Sequence, residues 1–184
     1  MNKLRLSYTL VRNWKEGRRD DCVKNYLHMD TFVSDRMRLG SEFDLKVEES
    51  LKVLSAFPPE LGNIKWENPK PKLQITVDWP EDKRFTVKGE FDAYSEPAII
   101  EIKCSATRDS AEISNDDQLS FYFLLADIAG IKADYAKLFR YDPSTRKFDM
   151  SLVWKSVRRM EEARTMINKY GPEIYEYFTQ EGIL

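Results

Sequence analysis

Gly89-Glu-Phe-Asp92-Ala-Tyr-Ser-Glu-Pro-Ala98-Ile-Ile-Glu101-Ile-Lys103 decides how this chain is read. Two apolar-rich runs, 84–94 and 98–104, flank Ser95-Glu96-Pro97, whose residue types favour a turn. The stretch therefore predicts two neighbouring strands. In Ala98-Ile99-Ile100-Glu101-Ile102 the one polar residue is Glu101. Near-continuous apolar character marks a strand covered on both faces, so Glu101 is expected in the interior. A buried carboxylate is costly unless a counter-charge, a metal ion or hydrogen bonds compensate it. Glu101 and Lys103 lie two residues apart and share one face of their strand, and a hairpin brings Asp92 alongside. Two acids and a lysine then converge. A Glu-x-Lys pair by itself is also what a plain ion pair on a strand looks like. A buried Glu101–Lys103 or Glu101–arginine pair is thus the structural alternative.

Outward from this centre, Leu73-Gln-Ile-Thr-Val-Asp-Trp79 alternates with period 2 and predicts a third strand. Residues 58–72 carry four prolines and a glycine and predict a connecting loop. Before it, Met37, Phe43, Val47, Leu51 and Leu54 form an apolar stripe of a helix over about 35–56, stopped by Pro58-Pro59. Residues 7–28 are helical in period, interrupted at Gly17 and the charged run 18–21. After Lys103, Ser114-Asn-Asp-Asp117 offers a cap and an acidic first turn for a helix ending at Gly130. Strands at about 134–141 and 147–154 follow, joined by Asp142-Pro-Ser-Thr145, and then a helix over about 155–169 that Gly171-Pro172 breaks or bends. The order is helices, three strands, a helix, two strands and a helix. It predicts one α/β domain with a central mixed sheet flanked by helices. The parts are N-terminal helices in 1–57, a central sheet and helix in 73–130, and strands and a helix in 134–184.

The 184 residues suit a single domain, and 42% hydrophobic with 12% aromatic content is enough for a packed core. Lysine and arginine number 29 against 31 aspartates and glutamates, a net charge of -2. A polyanionic partner must therefore be held by locally focused positive charge. Cys22 and Cys104 form no CxxC pair, so neither a zinc site nor an iron–sulfur cluster is expected, and an intracellular, cytoplasmic setting is. The N-terminus lacks a long apolar run, so no secretory signal or membrane span is expected. His28 is the sole histidine. Chemistry built on paired histidines is excluded, and His28 itself reads as a surface or packing residue. Carboxylates and lysine are left to carry any reaction. Such hard oxygen donors suit Mg²⁺ or Mn²⁺, which keep several waters and accept phosphate oxygens. A bound ion lowers the pKa of a water and offsets charge on a phosphate. Lys103 can then orient or deprotonate that water.

At this point the chain resembles the RecB-type branch of the PD-(D/E)XK nucleases. That branch carries, in order, GxxxHxxxE on a helix, GxxD and ExK on strands, and QxxxY on a helix. This chain has Gly40-Ser-Glu-Phe-Asp44-Leu-Lys-Val-Glu48, Gly89-Glu-Phe-Asp92, Glu101-Ile-Lys103 and Gln118-Leu-Ser-Phe-Tyr122. Leu6-Ser7-Tyr8 and Cys22-Val-Lys-Asn-Tyr26 are also similar to the family's opening helices, so the likeness spans roughly 6–126. The resemblance implies Asp92 and Glu101 as metal ligands with the Ile102 carbonyl, and Lys103 as the catalytic lysine. Gln118 and Tyr122, one helical turn apart, are implied as site residues; helix packing is the alternative for Tyr122. Asp44 stands where the family has histidine, and is implied as a further ligand for a hard cation. Glu48, one turn on, is a supporting carboxylate. No proline precedes Asp92, where the family's name places one.

For DNA, Arg12, Lys15, Arg18 and Arg19 cluster near Trp14, and Arg36 and Arg38 precede Gly40. These cations can contact phosphates, and Trp14 or Tyr8 can stack on a base. A mixed solvated face with Trp14 in the core is the competing reading. The implied function is metal-dependent hydrolysis of DNA phosphodiesters, as an exonuclease. A structure-selective endonuclease or junction resolvase is the enzymatic alternative. An inactive nucleic-acid-binding module, kept open by Asp44, is the non-enzymatic one. DNA is the implied partner; self-association or a replication or recombination protein would be additional.

Overall fold

The computed structural model describes residues 3–29, 35–54, 69–104, 117–142, 145 and 147–184; the side chains of 35–37, 39–40, 44, 51–54, 104 and 147–148 lie outside the description. The elements run β1 (Leu4–Ser7), α1 (Tyr8–Lys15), α2 (Arg19–Tyr26), α3 (Asp35–Leu54), β2 (Lys70–Asp78), β3 (Phe85–Ser95), β4 (Ala98–Cys104), α4 (Asp117–Ile128), β5 (Tyr135–Asp142), β6 (Lys147–Trp154) and α5 (Val157–Gln180). Most of the sequence-based elements are present within a few residues. The Ser114 cap, Pro58-Pro59 and the centre of the 142–145 turn fall outside the described residues.

β3 organises the six-stranded sheet. Along one edge it pairs antiparallel with β2, from Lys70↔Tyr94 to Asp78↔Thr86. Its other edge is shared. β1 lies parallel to it at one end, Leu4↔Phe85 to Ser7↔Lys88, and β4 lies antiparallel at the other, Ala93↔Ile100 to Ser95↔Ala98. β4 then runs parallel to β5, and β5 antiparallel to β6. The sheet is therefore mixed, with helices packed on it as expected.

Two core layers cover its faces. α4 is buried along Leu119–Ala126 and lacks a polar side there, as befits a helix enclosed between the sheet and α5. It packs with Val87, Phe91, Ile99 and Leu138 of the sheet and with Ile167, Ile174 and Phe178 of α5. On the other side, Phe43 and Val47 of α3 meet Ala93, Ile100, Ile102 and Phe139.

Three expectations are corrected. Leu4–Ser7 forms a strand where the chain was expected to open with a helix; Leu4 and Leu6 are fully buried, and Ser7 turns the chain by capping α1 through the Leu10 N–H. β2 begins at Lys70, inside the expected loop. α5 continues through Gly171-Pro172. An internal proline costs about 3 kcal/mol. Beyond it the helix buries Ile174 and Phe178 completely, each worth roughly 1.5–3 kcal/mol, so burial outweighs the lost hydrogen bond. Gly171 lets the helix approach: a Cβ there would lie 2.8 Å from Phe85 Cζ.

Candidate active site

β4 carries Glu101 into the interior, where it is 2% exposed. Two of the groups that meet its charge reach Oε1. One is the Lys103 ammonium from the same strand face; the other is the Gln118 amide, 2.9 Å away on the first turn of α4. Gln118 Oε1 accepts from Lys103 Nζ at 2.8 Å, and Gln118 Nε2 also donates to the Tyr122 hydroxyl at 2.7 Å. One amide thus ties carboxylate, ammonium and phenol together. The spacing of four residues allows it, because positions i and i+4 stack on one helix face. Charge-assisted bonds of this kind fix geometry better than neutral ones.

Asp92 sits where β3 and β4 separate. Their ladder ends at Ala93↔Ile100, and Asp92 Oδ2 spans the next step by accepting from the Ile102 N–H at 2.7 Å. In a regular strand, residues 91 and 93 would share a face. Here Phe91 packs against the Tyr122 ring, 4.9 Å between centroids, whereas Ala93 joins the α3 layer. The strand is locally irregular at Asp92. Opposite it, the β2 ladder passes from Pro71↔Ala93 to Leu73↔Phe91, and Lys72 adopts φ 51. A left-handed backbone costs a non-glycine residue roughly 1–2 kcal/mol. Lys72 Nζ lies 3.5 Å from Asp92 Oδ1 and 3.9 Å from Glu90 Oε1.

The electrostatics locate these acids around one hydroxyl. Burial, and next the charge of Glu101, push the Tyr122 phenol far above its ordinary value; Asp92 and Glu90 add to this, and the Gln118 hydrogen bond opposes it. Tyr122 therefore stays protonated. Beside Gln118 and Tyr122 opens a pocket of about 320 Å³, walled also by Arg5, Tyr8, Lys88 and Glu90. His28 lines it as well, and is exposed, a surface position as expected.

The structure thus brings together Asp92, Glu101, Ile102, Lys103, Gln118 and Tyr122. Asp44 lies on α3, but its side chain, like that of Arg36, is outside the described residues. Glu48 is half-buried and Arg38 exposed. Among the described residues, no three His, Cys, Asp or Glu side chains gather at one point. The Asp92 and Glu101 carboxylates with the Ile102 carbonyl form a donor set of hard oxygens, which fits Mg²⁺ or Mn²⁺ in preference to thiol-seeking metals.

The basic cluster is partly consumed internally. Arg18 pairs with Glu16 and donates to Asn13 Oδ1 at 2.6 Å, and Lys15 lies 3.3 Å from Asp117. Arg12 is exposed beside the Tyr8 ring. Trp14 is corrected from base platform to core residue. It is 5% exposed, donates through Nε1 to Glu173 at 2.8 Å, and has the Arg19 guanidinium 3.3 Å over its ring. Sequence reading missed Lys72, Glu90, Arg5 and Lys88. Of these, Glu90 alone carried a signal, its place inside Gly89-Glu-Phe-Asp92.

No protein-family model and no curated protein matches the chain. Solved structures do. The alkaline exonuclease from Laribacter hongkongensis aligns with a TM-score of 0.55 over 97% of this chain and 93% of its own, at 12% identity. The same exonuclease in complex with dAMP gives 0.54 over 96% and 92%, also at 12% identity. A phage-related exonuclease from Haemophilus somnus 129PT gives 0.55 over 91% and 82%, at 15% identity. This chain shares the fold of these exonuclease structures. Within that fold, the helix bearing Gln118 and Tyr122 packs over the strand bearing Glu101 and Lys103. No described helix of this chain is long and apolar enough to cross a membrane.

Proposed function

We propose that this chain is a divalent-metal-dependent deoxyribonuclease, acting on DNA ends as an exonuclease of RecB type. The observation that carries the reading is the linked set Glu101–Lys103–Gln118–Tyr122, with Asp92 anchored on the Ile102 amide. In this reading one domain serves the whole reaction. Asp92, Glu101 and the Ile102 carbonyl, with Asp44, would hold Mg²⁺ or Mn²⁺. When bound, such an ion makes a water acidic and offsets phosphate charge. Lys103 Nζ, fixed by Glu101 and Gln118, is placed to orient the attacking water and steady the charge that develops on the phosphate. Gln118 keeps that ammonium from wandering. Tyr122, always protonated, retains a hydrogen to donate. Arg5 and Lys88 on the pocket wall supply the local positive charge that a net charge of -2 demands. The end-directed mode is supported by the exonucleases that share the architecture; replication or recombination work is analogy from the family.

The test is end-labelled linear DNA beside circular single-stranded and circular duplex DNA, with Mg²⁺ or Mn²⁺. Linear DNA should be degraded and both circles left intact. EDTA should stop the reaction. Asp92→Asn, Glu101→Gln and Lys103→Ala should each abolish it with thermal melting retained. Nicked circles would replace the exonuclease reading with the endonuclease one. Binding without cleavage, indifferent to Lys103→Ala, would leave an inactive binding module.

A further inference from the structure

We infer that Lys72 is a tethered cation in the second cation position of this site, so that the chain takes one divalent ion where a two-ion nuclease takes two. The inference rests on the metal reading above. In two-ion phosphodiesterases the ions lie roughly 3.5–4 Å apart and stabilise the attacking and leaving oxygens. A carboxylate shared by the two cations gives one oxygen to each. Asp92 has that arrangement. Its Oδ2 turns to β4, against the Ile102 amide; its Oδ1 lies toward β2, with Lys72 Nζ at 3.5 Å. Glu90 completes the outer position. Its Oε1 lies 3.9 Å from the same ammonium, and its Oε2 accepts from Gln74 Nε2 at 2.5 Å, which fixes the carboxylate.

The backbone supports the assignment. Lys72 occupies the left-handed region, where glycine or asparagine would sit more easily. Backbone outliers of this kind concentrate at functional sites. The kink falls opposite Asp92 within a ladder that is regular on either side. The Lys72 side chain is also only 29% exposed, which reduces solvent screening of its charge. A point charge on a flexible stem suits contact with a non-bridging phosphate oxygen. Lys72 would thus supply on the Glu90 side the charge that a second ion supplies elsewhere.

The experiment is Mn²⁺ titration of the full chain, free ion being followed by electron paramagnetic resonance, with no DNA present. The wild type should bind one Mn²⁺. Lys72→Met should bind two, the second on the order of ten- to a hundredfold more tightly than the wild type binds any second ion. Lys72→Arg, which keeps the charge, should stay at one. Lys72→Asn, which tolerates the left-handed backbone, should behave as Lys72→Met and serves where the methionine variant does not fold. Two ions on the wild type, or one on folded Lys72→Met and Lys72→Asn, overturns the inference and leaves the nuclease reading standing. A wild type that binds no Mn²⁺ overturns the metal reading itself, and the inference with it.

Discussion

Gly89→Ala tests whether the glycine of Gly89-Glu-Phe-Asp92 exists to let α4 reach the sheet. A methyl group at this position would lie 2.7 Å from Leu125 Cδ1, and 3.3 and 3.4 Å from Tyr122 Cε1 and Cδ1. Carbons pack at about 3.5–4.0 Å, so Leu125 must retreat by roughly 1 Å inside a core where it is fully buried. Overpacking of this size costs about 1–3 kcal/mol. Replacing glycine in a strand returns about 0.5–1 kcal/mol of backbone entropy. The net expectation is a loss of about 1–2 kcal/mol, a fall of roughly 2–8 °C in melting temperature for a chain of this size. Tyr122 is displaced too, and through Gln118 so is Lys103, so cleavage should fall more than stability alone explains. The assay is a thermal melt with a nuclease rate at 25 °C, repeated in a Leu125→Ala background. Leu125→Ala removes the closest clash, so there Gly89→Ala should cost little further stability; the cycle isolates the contact. An unchanged or raised melting temperature for Gly89→Ala alone, or an equal penalty in both backgrounds, refutes the close-approach account.

Gln118→Ala should lower kcat by roughly 10–100-fold with KM little changed, as loss of a group that only orients others does; steady-state rates on labelled DNA check it. Tyr122→Phe removes one hydrogen bond of about 1 kcal/mol and should reduce the rate by less than about tenfold. Because burial and the Glu101 charge hold the phenol protonated, the alkaline limb of the rate profile should not move in Tyr122→Phe. Burial pushes the Cys22 thiol up to about 11. The unfolded chain therefore gives up this proton first as pH rises. The associated stability is complete below pH 9 and drains between 9 and about 11, a slope that Cys22→Ala should flatten in melts taken across that range. In a Cys104→Ser background, thiol labelling at pH 8 should be slow in the folded protein; rapid labelling would contradict the burial of Cys22.

Much of this architecture was readable because its signals are local. Alternation over 73–79 and the apolar run around Glu101 announced β2 and β4, and the turn residues 95–97 announced the connection from β3 to β4. Other features depend on partners far along the chain. β1 has four residues, too few to show a period, and its strand status comes from pairing with Phe85–Lys88. Trp14 among arginines reads equally well as a base platform or a core residue until Glu173 and Tyr177 are brought against it. Pro172 breaks helices by local rule; the buried Ile174 and Phe178 override it.

The same distinction holds within the site. Glu101 and Lys103 are separated by the two-residue period of a strand, and Gln118 and Tyr122 by one helical turn. Both intervals are periods of the element that carries them, so they survive as spacings in the sequence and converge once β4 and α4 pack together. Gly89 precedes Asp92 on the same strand because α4 must come close where the carboxylate leaves the ladder. Lys72 has no such interval. It belongs to the other edge of β3, and what aims it at Asp92 is a single backbone angle, φ 51, which its residue type disfavours. A spacing motif cannot record a residue recruited by an irregularity in the backbone. Residues that tune the site, as against those that define it, are accordingly to be sought at such irregularities.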